Sequence, residues 1–191
     1  MAYEVNISDV LVDPAFNQAW SWTLLEESGN PLKPSAPLDT AVGTDNNGYH
    51  VRFGFNAQDY PDDELYGLPM PQALDRAKVL AAGIWRDSRV GMLNDAQLAA
   101  KVFDYSFNAG TAWGVLVLQR ALNALGAGLE EDGTIGPKTA AAANAYPVGD
   151  SSLMAAFVNQ GKLHYERIVN AVPEDAKYLS GWNARLERHA V

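Results

Sequence analysis

Between Asp13 and Gly29 the chain reads DPAFNQAWSWTLLEESG. At about 100° per residue, Phe16, Ala19, Trp20, Thr23 and Leu24 share one stripe, which predicts an amphipathic helix over 14–28. Asp13 can cap its orphan amides, Pro14 suits the first helical position, and Gly29 suits a left-handed residue that closes the last turn. One position breaks the pattern. Glu27 falls about 20° from Phe16, on the side meant for the core, whereas Glu26 lies about a quarter-turn away, at the edge of the stripe, where it can reach solvent. Burial disfavours the charged form of a carboxyl group, so Glu27 is expected to hold its proton near neutral pH, the state that a general acid requires.

Beyond this helix, from Asn30 to Pro69, prolines and glycines recur too often for a long helix. Inside that stretch Tyr49-His50-Val51-Arg52-Phe53-Gly54-Phe55 alternates as a short strand does, and Asp45-Asn46-Asn47-Gly48 before it is turn chemistry. A small irregular β lobe is therefore expected between about 40 and 58. From Pro71 the 3.6-residue period takes over, predicting helices near 72–87, 95–108, 112–125, 137–144, 152–170 and 174–187. The segment 112–125 is apolar over most of its circumference, with Trp113, Val115, Leu116, Val117, Leu118, Leu122 and Leu125, as a central buried helix is. The expected fold class is mainly α (α+β): a helical bundle around a central buried helix, with the β lobe after the first helix.

With 191 residues, 48% of them hydrophobic, the chain can bury one substantial core. It is read as a single domain over 1–191, with an N-terminal half (1–100) that carries the β lobe and a helical C-terminal half (101–191). There is no cysteine, so no disulfide framework exists. A net charge of −9 argues against nucleic acid, which demands a basic stripe. No segment reaches membrane-spanning length, and the first residues, MAYEVNISDVL, lack the basic and apolar regions of a Sec signal. Synthesis in the cytoplasm without such a signal is the expectation.

Motif chemistry is sparse. Phosphate-loop glycines, HExxH and G-x-S-x-G are all missing from the sequence, and His50, His164 and His189 are too scattered to be metal ligands, so neither metal nor cofactor is expected. Carboxylate chemistry remains: Glu27, followed by Asp39, Asp45, Asp59, Asp62 and Asp63 in the β region. One protonated and one ionised carboxyl across a cleft is the arrangement that cleaves glycosidic bonds.

Three ordered blocks carry a resemblance. They are Val102-Phe103-Asp104-Tyr105-Ser106-Phe107-Asn108-Ala109-Gly110, then Leu118-Gln119-Arg120-Ala121-Leu122, then Asp132-Gly133-Thr134-Ile135-Gly136-Pro137-Lys138-Thr139. Together they resemble the C-terminal part of glycoside hydrolase family 108, the N-acetylmuramidases of phages and bacteria, and Gly181-Trp182-Asn183-Ala184-Arg185 is similar to that family's ending. Phe16, Ala19, Leu24, Glu27 and Gly29 stand where the family's opening helix has its motif, which places the family's catalytic glutamate on Glu27. The resemblance implies a lysozyme-like fold with a peptidoglycan-binding C-terminal half, and cleavage of the β-1,4 bond between N-acetylmuramic acid and N-acetylglucosamine.

The family's next motif departs here to Asn46-Asn47-Gly48-Tyr49-His50-Val51-Arg52-Phe53-Gly54-Phe55. Tyr49 replaces a glycine, Val51 replaces a threonine, and Asp45 lies one place from the expected aspartate. Asp45, or another acid of the β lobe, is the expected second carboxylate. Tyr49, Asp104, Tyr105 and Asn108 are the expected glycan contacts, with one ring among Trp85, Tyr105 and Trp113 lining the cleft. The expected partner is the peptidoglycan glycan strand, met by a monomer in the periplasm or cell wall after delivery through a holin, a phage tail or a secretion system. A non-catalytic wall-binding module, or a structural part of a phage particle or secretion apparatus, is the alternative.

Overall fold

A computed structural model describes residues 4–29 and 41–188, and Asp39 lies outside them. Its helices are α1 (Ile7–Val12), α2 (Pro14–Ser28), α3 (Gln72–Ser88), α4 (Ala96–Ala109), α5 (Thr111–Ala124), α6 (Pro137–Asn144), α7 (Ser151–Ala171) and α8 (Ala176–Glu187). Three short strands, β1 (Gly43–Thr44), β2 (His50–Arg52) and β3 (Phe55–Asn56), pair antiparallel in the order β1-β2-β3. The architecture is thus mainly α with one small sheet, as the periodicity implies. The short helix α1 was not expected, because six residues are too few to reveal a period.

Local chemistry accounts for several helix starts. The Asp13 carboxylate accepts from Ala15 N, Asp95 caps α4 through Gln97 N and Leu98 N, and Asp150 caps α7 through Ser152 N and Leu153 N. These are the Asp side chains that N-caps favour. One expectation fails here: Gly29 is extended, at φ −124°, rather than left-handed. Helix α5 begins on Thr111, one residue before its expected start, with Gly110 in the capping position and no side-chain cap.

The expected strand from Tyr49 to Phe55 is folded on itself. Arg52 pairs with Phe55 across a two-residue turn in which both Phe53 (φ 51°) and Gly54 (φ 82°) have positive φ. Two left-handed residues in succession match the right-handed twist of a hairpin, and glycine takes the second of them without a Cβ clash. Alternation alone could not reveal this turn, because Phe53 and Phe55 are both apolar and both buried.

Helix α5 packs against α3, α4, α6 and α7. Val115, Val117, Leu118, Ala121 and Leu122 are fully or almost fully enclosed, whereas Leu116 is only half-buried and Trp113 and Leu125 are each 40% exposed. The helix is therefore central, but it is not buried all round. Gly114 allows the close approach of α4: a Cβ there would lie 1.9 Å from Ser106 Oγ. Gln119, 1% exposed, pins the following loop. Its Nε2 donates to Asp132 Oδ1 (2.7 Å) and Thr134 O (3.1 Å), while its Oε1 accepts from Gly133 N (2.9 Å). Two of the three recognisable blocks thus meet through one buried amide whose role is to hold the loop in place, since a polar group this deep must be bonded.

Candidate functional site

The site is assembled from the two ends of the chain. Glu26 and Glu27, in the last turn of α2, meet Arg185 of α8 and Arg188 just beyond it. Arg185 Nη1 donates to Glu27 Oε1 at 2.6 Å, and Arg188 Nε donates to Glu26 Oε1 at 2.8 Å. Arg185 also forms a fork onto Asp104 of α4, with Nε to Oδ2 at 3.0 Å and Nη2 to Oδ1 at 2.8 Å. Thr23, one turn before Glu27, donates to the same Asp104 Oδ1 at 3.0 Å. Lys101, 2% exposed, donates from Nζ to the carbonyl oxygens of Arg185 and Arg188 and so ties down the end of α8.

The wheel's distinction between the two glutamates does not survive assembly. The Glu26 side chain is 3% exposed and that of Glu27 is 18% exposed. Glu26 sits at the edge of the stripe of α2, but it is buried there and pairs with Arg188, just after α8. Burial pushes the Glu27 carboxyl above the ordinary range, Arg185 pulls it back, and the negative charges of Asp104 and Glu26 push it up again, leaving a net raised pKa. The sign is the one inferred from the sequence, and desolvation is the dominant cause.

Glu27 is not itself on the cleft wall but lies against Gly54, which is. A Cβ built on Gly54 would lie 2.7 Å from Glu27 Cδ and Oε2, so only a glycine lets the hairpin turn lie flat against the carboxyl. Gly54 also lines a cleft of about 440 Å³ between the β lobe and the α4–α5 junction, together with Asn56, Asp59, Tyr60, Phe107 and Asn108. Gly54→Ala is expected to strain a left-handed position by about 1–2 kcal/mol and to displace Glu27. Its signature would be a change in the Glu27 carboxyl titration, read by NMR, in a protein whose helical circular dichroism is unchanged.

The other expected site residues divide. Asn108 is exposed on the cleft wall, with Nδ2 donating to Tyr165 Oη at 3.0 Å. Asp104 does not face the cleft; it is 4% exposed and committed to Arg185 and Thr23. Tyr105 is corrected outright: it is 2% exposed, its ring stacks on Tyr165, and its hydroxyl lies 2.7 Å from His164 Nδ1. Trp85 is likewise core, at 1% exposure, and Trp113, though 40% exposed, stacks on His164 at 4.0 Å away from the cleft lining. The rings that line the cleft are Phe55, Tyr60 and Phe107, which lie on the β lobe and at the end of α4.

Tyr49 is exposed on the hairpin. Asp45 organises the β1–β2 turn: Oδ1 accepts from Asn47 N and Tyr49 N, and Oδ2 accepts from Asn56 Nδ2 at 2.8 Å. The Asn56 amide, with the backbone amides, holds its carboxyl below the ordinary range, so Asp45 is ionised. Among the described residues, the acid on the cleft wall is Asp59. Its place on the cleft wall was beyond the reach of sequence, because it depends on how the β lobe packs against the α4–α5 junction. Among the described residues no group of three or more His, Asp or Glu side chains is placed to hold a metal ion, and no helix is long and apolar enough to cross a membrane.

Comparison with known proteins adds two findings. Residues 113–187 match the family model described as "Predicted Peptidoglycan domain", which supports association of this chain with peptidoglycan and a place of action at the cell wall. The fold is similar to that of Brucella abortus SagA, at 17% sequence identity and a TM-score of 0.63, over 91% of this chain and 90% of that one. No curated protein matches the sequence.

Proposed function

We propose that this protein is a peptidoglycan hydrolase, an N-acetylmuramidase of the glycoside hydrolase family 108 type. The observation that carries the reading is the Glu27 carboxyl, largely buried and raised in pKa, lying against Gly54, a glycine of the β lobe that lines the cleft. A carboxyl that holds its proton can deliver it to the glycosidic oxygen as the C1–O bond breaks, making that oxygen a leaving group. An ionised carboxylate across the cleft then stabilises the oxocarbenium-like centre or orients the attacking water. In this role Asp59, on the cleft wall, takes precedence over Asp45, both of whose oxygens are occupied by the hairpin. Asn108 and the Tyr60 and Phe107 rings supply hydrogen-bonding and apolar contacts to the sugar. The chain would reach the wall through a holin, a tail particle or a secretion system.

Mass spectrometry of muropeptides after digestion of purified walls tests the reading. Products with reducing N-acetylmuramic acid ends are expected, reduced by Asp59→Asn more than by Asp45→Asn. Wall binding without any released reducing end would instead establish a non-catalytic binding module. Two observations favour that second reading over others: Arg185 already pairs with Glu27, and the matched region is described by peptidoglycan rather than by hydrolysis.

A further inference from the structure

Arg185 presents a planar fork of N–H donors, and the fold divides them unequally. Nε and Nη2 go to the two oxygens of Asp104, at 3.0 and 2.8 Å, in the bidentate geometry that binds a carboxylate best. Only Nη1 is left for Glu27, at 2.6 Å. Asp104 is itself fixed by Thr23 Oγ1, and the side chains of Asp104, Arg185 and Glu27 are 5%, 13% and 18% exposed.

The charges packed around Glu27 can be counted element by element. From α2, Glu26 is neutralised by Arg188, the residue just after α8. From α4, Asp104 neutralises Arg185, and Lys101 points its ammonium at the carbonyl oxygens of Arg185 and Arg188. The β lobe contributes the uncharged Gly54. An ionised Glu27 therefore adds one more negative charge to a cluster in which Arg185 and Arg188 already have Asp104 and Glu26 as carboxylate partners.

We propose that Asp104 and Arg185 are positioning residues for Glu27: Asp104 occupies the bidentate side of the guanidinium, so that Arg185 aims the Glu27 carboxyl with one hydrogen bond while its stronger, bidentate ion pair stays with Asp104. The sequence placed Asp104 among glycan contacts, and its role here is instead to keep Arg185 from holding Glu27 ionised. The inference rests on the reading of Glu27 as general acid, but it can be tested apart from it.

The two residues should act with opposite sign. Asp104→Asn leaves Arg185 with Glu27 as its only anionic partner, which favours the ionised carboxylate and lowers the pH at which Glu27 gives up its proton. Arg185→Gln removes the cation and leaves Asp104 facing Glu27, which raises that pH. An opposite charge within hydrogen-bonding distance shifts a carboxyl by about 1–3 pH units, so the two titrations should separate by at least about one unit. Since a general acid works while protonated, the alkaline limb of the wall-hydrolysis profile should move down for Asp104→Asn and up for Arg185→Gln. A role confined to holding the fold together would lower activity at every pH without parting the limbs.

The measurement is the carboxyl 13C titration of Glu27 in the full chain, for wild type and both variants, alongside the pH–rate profile on purified walls. Opposed shifts support the proposal; shifts of the same sign, or none, overturn it. Asp104→Asn keeps an oxygen acceptor for Thr23 and Arg185, so its downward shift remains decisive by itself if Arg185→Gln does not fold. Opposed shifts in a protein that cleaves no wall would support the positioning and overturn the reading of Glu27 as the acid. Hydrolysis abolished by Glu27→Gln, with no movement of the Glu27 titration in either variant, would uphold that reading and overturn the positioning.

Discussion

Glu27→Gln is expected to lower wall hydrolysis by about two to four orders of magnitude while leaving wall binding intact. Glutamine keeps the shape and an oxygen for Arg185 Nη1, but it cannot give the sugar oxygen a proton. Clearing of permeabilised cells, followed by turbidity, resolves a loss of that size. Stability should move the other way. A carboxyl whose folded pKa is raised contributes stability that is fully present below its unfolded pKa, about 4.3, and lost as the pH rises through the folded value. At pH 7 wild-type Glu27 therefore carries a cost that its neutral isostere lacks, and Glu27→Gln should melt no lower than wild type. Activity near that of wild type would place the acid elsewhere. Glu26→Gln has a different meaning from the one its position on the helical wheel implies. It removes the partner of Arg188 within a nearly closed pair, so its effect should appear in stability rather than in the rate per folded molecule.

The largest effect on the fold is expected from Leu118→Ala. Leu118 is 0% exposed, on the face of α5 that meets the other helices, beside Val115, Ala121 and Leu122. Its truncation forfeits the transfer energy of the lost carbons and leaves a cavity that close-packed helices fill only in part, a cost of about 2–5 kcal/mol. Chemical denaturation reads that loss directly. A change under about half a kilocalorie would mean that the side chain is not core. Leu116→Ala, at a half-buried position of the same helix, should cost clearly less.

Elements whose cause is local could be read before the fold was known. Helix α2 begins at Pro14 because Asp13 accepts the amide of Ala15, and α4 begins where Asp95 accepts two amides. Helix α6 begins on Pro137, whose fixed φ suits a first turn. The position of Glu27 on the apolar stripe of α2 is equally local, and so was the sign of its pKa shift. The failures with most bearing on the site were inferences that needed a second element. Tyr105 shares a helix with Asn108, yet α7 covers its ring and leaves Asn108 in the cleft. Tyr60 and Phe107 carry no mark in the sequence that sets them apart from core rings, but they line the cleft.

The sequence by itself determined where helices start, which faces are apolar, that one glutamate breaks the apolar stripe of its helix, and that a small β region interrupts the helices. Those outcomes depend on hydrogen bonds and side-chain periods spanning a few residues. Only the tertiary structure decided what surrounds that glutamate: Arg185, 158 residues away, Asp104 from α4, and a glycine turn that presses on the carboxyl. A carboxyl's protonation responds to every charge and every lost water within several ångströms, whichever part of the chain supplies or excludes it.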